Sequence, residues 1–175
     1  MGWSTDITLI PSLHTLSISV SPILPDTGRF LDYYRMPQLQ YFTLSMPSIL
    51  GDHHDAIEDH LYTVQDFMMD TPTISAVTLK SGIRILSYAL KILWTPSPYL
   101  GPETLPGVTD LTISVWKDLV WSPGDITQIQ CLINARLEGP RAKLRPLQRL
   151  SVPRFIFEDD ADWIRGEVPE LELTD

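Results

Sequence analysis

With 175 residues, 43% of them hydrophobic and 20% charged, the chain has an ordinary globular balance and enough length for a core, which excludes wholesale disorder. A net charge of -9 leaves no basic face to neutralise phosphates, so nucleic acid and anionic lipid are disfavoured partners and a protein or small ligand is favoured. Cys131 is the sole cysteine, which excludes an internal disulfide framework and fits a reducing compartment, cytoplasmic or nuclear.

The opening residues, MGWSTDITLIPSLH, lack the positive region and apolar stretch of a signal peptide. From there a self-similar pattern runs along the chain through PSLHTLSIS, PQLQYFTLS, PTISAVTLK, PGVTDLTIS and RPLQRLSVP. Each stretch reads apolar, two others, apolar, one other, apolar. The triplets are Leu13, Leu16, Ile18; Leu39, Phe42, Leu44; Ile74, Val77, Leu79; Val108, Leu111, Ile113; and Leu147, Leu150, Val152. The last two members of each triplet alternate with period two, as a strand with one buried face requires.

A column that played no part in the alignment supports the register. Between the last two apolar positions stand Ser17, Thr43, Thr78, Thr112 and Ser151, all small hydroxyl residues suited to an exposed or half-exposed pleat. Prolines recur at the strand entrances as Pro11, Pro37, Pro72 and Pro106, two residues ahead of the first apolar position, and as Pro146, one residue ahead. There they break the preceding element without removing an interior ladder bond.

The repeat starts are 26, 35, 34 and 39 residues apart, leaving room between strands for helices. Asp52 can cap a helix running to about Asp70, with Ile57, Leu61, Val64 and Met68 at helical spacing. Ile83, Leu86, Leu90 and Leu93 share the face of a second helix that stops before Pro96 and Pro98. Asp125 and Gln128 form a capping-box pattern ahead of Ile129, Leu132 and Ile133. The acidic tail predicts a short helix around Trp163, then a partial sixth unit near Leu171. Strands alternating with helices in this way predict one α/β domain over 1–175, a parallel sheet of about five strands with helices on its outer face. The most apolar window, Ile74 to Trp94, carries Lys80, Arg84 and Lys91, which excludes a membrane span there.

The stretch GDHHDAIEDH, residues 51–60, holds three of the four histidines and four carboxylates. Two histidines that chelate a metal from one helix normally stand four apart, and here the separations are one, six and seven. His53 and His60 share a face two turns apart, about 10 Å along the axis. His54 and Glu58 make the only histidine–carboxylate pair at four-residue spacing, and early carboxylates suit the positive end of a helix dipole. A capped, solvated helix start accounts for the cluster, so no metal or cofactor is expected. The alternative is a metal-dependent hydrolase centred on 51–60.

The apolar spacing is similar to the leucine-rich repeat. The asparagine usual at the fourth position is replaced by Ser21, Pro47, Gly82, Trp116 and Phe155, which predicts an irregular solenoid. With its long unequal periods and Pro-x-Leu starts, the region from about 10 to 157 resembles the repeats of fungal F-box/leucine-rich-repeat proteins. In that family an F-box module docks on the linker subunit of a cullin-type ubiquitin ligase while the repeats select the substrate. Only twelve residues precede Leu13, too few for an F-box, so the resemblance implies the substrate-recognition half; docking on the linker subunit would need an F-box supplied elsewhere.

Function is therefore expected to be non-enzymatic protein binding on the open face of the sheet. Bulk or charge on that face comes from Tyr41, Lys80, Asp110 and Arg149 among mostly hydroxyl neighbours. A truncated fragment with no independent role is the other alternative. Ile7, Leu9 and Ile10 precede the first strand with nothing to cover them, which predicts self-association through that end.

Overall fold

The computed structural model describes residues 7–20, 29–46, 54–82, 85–86, 89–90, 107–116, 124, 126–127, 129–131, 145–157 and 161–175, with backbone alone for 29–30 and 54–59. Six strands form one parallel sheet: β2 (Thr15–Ser19), β4 (Tyr41–Met46), β5 (Ala76–Ser81), β6 (Asp110–Val115), β7 (Arg149–Pro153) and β8 (Glu170–Thr174). Their order in the sheet is their order in the chain. A second, two-stranded parallel sheet joins β1 (Thr8–Leu9) to β3 (Tyr34–Arg35).

The register of the large sheet is the register of the sequence triplets. Leu16, Phe42, Val77, Leu111, Leu150 and Leu171 are successive ladder partners. So are Ser17, Thr43, Thr78, Thr112, Ser151 and Glu172. The sixth unit is complete rather than partial. Val168, buried, precedes Leu171 by the spacing at which Leu147 precedes Leu150, and Leu173 closes the triplet. The unit escapes a search by period because Val168 follows Leu147 by only 21 residues.

Alternation along each strand puts one set of side chains into a single apolar core: Ile18, Phe42, Leu44, Val77, Leu79, Leu111, Ile113, Leu150 and Val152 from the strands, with Leu39, Ile74, Val108 and Leu147 from their entrances. The same core takes side chains from the segments between strands. Leu61, Val64, Phe67 and Met68 come from α1 (His54–Met69), and Ile164 from α2 (Ala161–Glu167). Leu86, Ala89 and Leu90 sit in helical backbone at 85–86 and 89–90, and Ile129 in helical backbone at 129–131. Thus the helical segments cover one face of the sheet, and Phe67 meets Phe42 with ring centroids 5.8 Å apart. Helical backbone already includes Gly124, one residue ahead of the cap expected at Asp125. Asp52, Asp125 and Gln128 themselves lie outside the described residues.

α1 ends where the sequence forces it to. Pro72 disfavours helical backbone at Thr71, and the last turn tightens as Thr71 N–H donates to the Met68 carbonyl at 3.2 Å. No basic residue stands in that last turn, whose negative dipole end instead faces acids. Partial desolvation, then Asp70, then Asp32 in the 3-10 segment Arg29–Tyr33 raise the Asp66 carboxyl above the usual aspartate range. Arg35 relieves part of this crowding through its pair with Asp70 at 3.2 Å.

Each strand begins with the same hydrogen-bond motif. The His14 carbonyl accepts from Gln40 and Tyr41 N–H, that of Gln40 from Ser75 and Ala76, that of Ser75 from Thr109 and Asp110, and that of Thr109 from Gln148 and Arg149, all at 2.8 to 3.2 Å. The last step, from Gln148, receives only Glu170 N–H at 3.0 Å, because the residue beside it is Pro169 and has no N–H to give. Gly107 lies just before one of these entrances, where an added Cβ would come within 2.9 Å of the Pro72 carbonyl oxygen and 3.2 Å of that of Ile74.

Leu111→Ala at the centre of the sheet is expected to destabilise the fold by about 2–5 kcal/mol, read as a lowered midpoint in urea unfolding. Gly107→Ala presses backbone on backbone and should cost about 1–3 kcal/mol, again in the urea midpoint. Asp66 gives a pH signature. Because folding raises its carboxyl, the folded chain holds that proton at pH values where the unfolded chain has lost it, so stability falls as pH rises through that window. Asp66→Asn is expected to melt higher than the parent chain at pH 7, with the advantage vanishing below about pH 4.

Candidate protein-binding face

The face opposite the core carries the alternate residues of every strand, and the ladder arranges them in rows. The lowest row is Thr15, Tyr41, Ala76, Asp110, Arg149 and Glu170. Three of the four residues expected to bind a partner, Tyr41, Asp110 and Arg149, are therefore brought into line. Lys80 is not among them. It pairs in register with Ser45 and Ser114, four residues up the strand from Ala76, or about 13 Å away.

Within the row the residues divide by chemistry. Tyr41 is 54% exposed and is separated from Asp110 by the small side chain of Ala76, across about 10 Å of sheet. Around Tyr41 the face is uncharged: Thr15, Ser17 and Ser19 are exposed, and Thr43 and Ser45 half-buried. Towards the other end, Arg149 stands between Asp110 and Glu170 in register and pairs diagonally with Glu172, Nη2 to Oε2, at 3.2 Å. The Asp110 carboxylate accepts a hydrogen bond from the Thr109 hydroxyl at 2.7 Å. Arg149 thus spends its charge within the molecule, whereas among the described residues no carboxylate pairs with Lys80. An exposed pair of this kind contributes little stability, about 0–1 kcal/mol, but it fixes where the guanidinium lies.

The hydroxyl column departs from expectation at one point. Ser151 is buried, not half-exposed, and so is Pro153 beyond it. Ser151 pairs with Glu172 in register, beside the Arg149–Glu172 bridge. Glu170 and Glu172 belong to the face and were not among the residues expected there. The signal was present in PELEL, and extending the register by one strand places both glutamates in the known columns.

Two aromatics stand three residues beyond the last apolar position of their triplets. Trp116, 37% exposed, directly follows β6, and its N–H donates to the Ser81 carbonyl at 3.1 Å. Phe155, 42% exposed, lies in the 3-10 turn Arg154–Ile156 after β7. The third member of that position within the described residues, Gly82, is buried. Trp163 on α2 is also exposed.

The histidine cluster gives a mixed outcome. Helical backbone from His54 to Met69 agrees with a helix start there, and His53 lies outside the described residues. His60, however, is 6% exposed and so belongs to the buried side of α1 rather than to a solvated face. The helix phase explains it, since His60 lies one turn before Val64 and next to Leu61, both of which are buried. The fourth histidine, His14, stands apart at the entrance of β2, its Nδ1 3.1 Å from the Gln38 carbonyl. Among the described residues no group of three or more His, Cys, Asp or Glu side chains is placed to hold a metal ion. Cys131 is exposed, not buried as a small apolar side chain would be. Among the described residues, no helix is long and apolar enough to cross a membrane.

Comparison of the chain with protein-family models, with curated proteins and with solved structures found no match.

Proposed function

We propose that the chain is a non-enzymatic protein-recognition module, an irregular leucine-rich-repeat-like solenoid that binds its partner on the open face of the sheet. The observation that carries this reading is the division of labour across the ladder. Six strands in register bury one set of side chains in a common core and leave most of the other set, with Tyr41 at its uncharged end, exposed or half-buried outside it; Ser151 and Pro153 are the exceptions. A surface relieved of structural work in this way can vary without loss of fold, which is what partner selection asks of a scaffold.

The chemistry of the face favours a partner with a hydrogen-bonding segment for the hydroxyl rows and an apolar group for Tyr41. An acidic group on that segment would meet Lys80. By resemblance, the setting is substrate selection for a cullin-type ubiquitin ligase; docking on its linker subunit would need an F-box supplied elsewhere. A protein partner, and no cofactor or metal, follows from this reading.

Tyr41 is the test position. A photo-crosslinking amino acid at 41 is expected to capture a discrete protein in cells that the same group at Tyr62, on α1, does not. With that protein purified, Tyr41→Ala should weaken binding by about tenfold or more, as loss of an aromatic anchor does, while the circular dichroism spectrum stays unchanged. Equal capture from positions 41 and 62, or unchanged affinity in Tyr41→Ala, would count against the open face as the binding surface.

A further inference from the structure

Among the described residues the sheet has two outer strands, and they are defended very differently. β8 carries Glu170 and Glu172, with Asp175 just beyond, charges that discourage another strand from pairing with it. β2, sequence TLSIS, has none. Its hydrogen-bonding groups are also half unused by the sheet. The His14 carbonyl accepts from Tyr41 N–H and Val20 N–H donates to the Ser45 carbonyl at 2.9 Å. By the alternation of a parallel ladder, the even-numbered residues of β2 turn their backbone groups to β4, and Thr15, Ser17 and Ser19 turn theirs to the open side.

The core is also thin on this side. The first layer repeats the second with a constant offset of 26 residues, Thr8 pairing with Tyr34 and Thr15 with Tyr41. Ile10, Leu13 and Leu16 are only partly buried, while their counterparts Met36, Leu39 and Phe42 are buried. Ile7 and Leu9 are 55% and 61% exposed. Among the described residues no strand pairs with the open side of β2, and the sequence of β2 suits one neighbour.

We propose that the chain pairs with a second copy of itself through β2, the two strands running antiparallel about a twofold axis at Ser17 and joining two sheets into one. In that register Ser17 faces Ser17 and Thr15 faces Ser19. These are the residues whose N–H and C=O groups point outward, so each pair exchanges two hydrogen bonds. Leu16 falls opposite Ile18 on the core side, and the hydroxyl residues stay together on the open face. A slip of one residue sets outward groups against inward ones and reverses every side chain, and a slip of two keeps the pattern but opposes fewer residues of the short strand, so the central register is favoured. An antiparallel junction beside a parallel sheet is an ordinary mixed arrangement. This pairing uses the edge, not the open face, and stands whether or not the proposed partner binding holds.

The edge is short, so the dimer should be weak and visible in a concentration series from roughly 1 µM to 1 mM by sedimentation equilibrium. Ser17→Lys places two ammonium groups across the axis on an exposed site, and is expected to raise the dissociation constant about tenfold or more with an unchanged circular dichroism spectrum. Register is read separately in a Cys131→Ser background. Ser17→Cys should form a covalent dimer under a mild thiol oxidant. Thr15→Cys should not, since its two copies stand about 13 Å apart, beyond the roughly 7 Å a disulfide can span. Mixing Thr15→Cys with Ser19→Cys should restore cross-linking. A monomer throughout the series, a dimer indifferent to Ser17→Lys, or cross-linking of Thr15→Cys as efficient as that of Ser17→Cys would overturn the proposal.

Discussion

Register is the constraint on which the rest of this molecule depends. At each step from β2 to β7, one carbonyl at the strand entrance receives two N–H groups from the next layer, and this fixes the stagger before the ladder proper begins. Once the stagger is fixed, period-two alternation decides which side chains meet the core. A slip of a single residue at β5, for example, would turn Val77 and Leu79 out of the core and Thr78 into it. Exposing two buried apolar side chains and burying one hydroxyl costs several kcal/mol, a large share of the stability of a domain this size. The hydroxyl column is therefore part of what makes the register unique.

The same constraint shapes the open face. Because the rows run across the sheet, residues from distant parts of the chain, Tyr41 and Arg149 among them, become neighbours at spacings set by strand separation alone. The charged end holds Arg149 among three carboxylates, Asp110, Glu170 and Glu172, and stays net negative, while the hydroxyl end around Tyr41 has no charge to satisfy. Binding energy in such a surface is expected to concentrate in the aromatic rather than the ion pairs, because an exposed arginine already held by carboxylates gains little from a new one.

What could be read from the sequence was whatever repeats. The strands and their columns were legible because three apolar positions and one hydroxyl position recur five times, and the helix from about 54 to 69 was legible from Leu61, Val64 and Met68 and from the proline that stops it. The sixth strand was only half seen. Its hydroxyl position holds Glu172, its period is shorter, and Pro169 replaces the residue whose N–H the motif uses. Features set by tertiary placement were less legible. The burial of His60 is written in its four-residue spacing to Val64 and of Val64 to Met68, but the acids around it pointed to a solvated face; the burial of Ser151 depends on its place in the sheet, and the raised carboxyl of Asp66 partly on Asp32, brought from another segment to join Asp70 one turn away. Of the residues expected on the binding face, three share a row because they share a column in the alignment, and Lys80 falls away because it occupies a different one.

Strand order that follows chain order has a further consequence for how the molecule can change. Among the described residues, each strand of the large sheet pairs only with the strands before and after it in the sheet, so the stability of any layer is set by those interfaces and by the core residues that it shares with them. Insertions in the connecting segments need not propagate, and the unequal distances between successive units, from 21 to 39 residues, show how much length these connections absorb without disturbing the ladder. The exception is a place like Gly107, where a connection presses directly on the Pro72 and Ile74 backbone of the preceding layer and any side chain would push the two layers apart. Tolerance in the connections and intolerance at the entrances are thus two sides of one rule: the chain is free wherever it leaves the sheet and fixed wherever it returns to it.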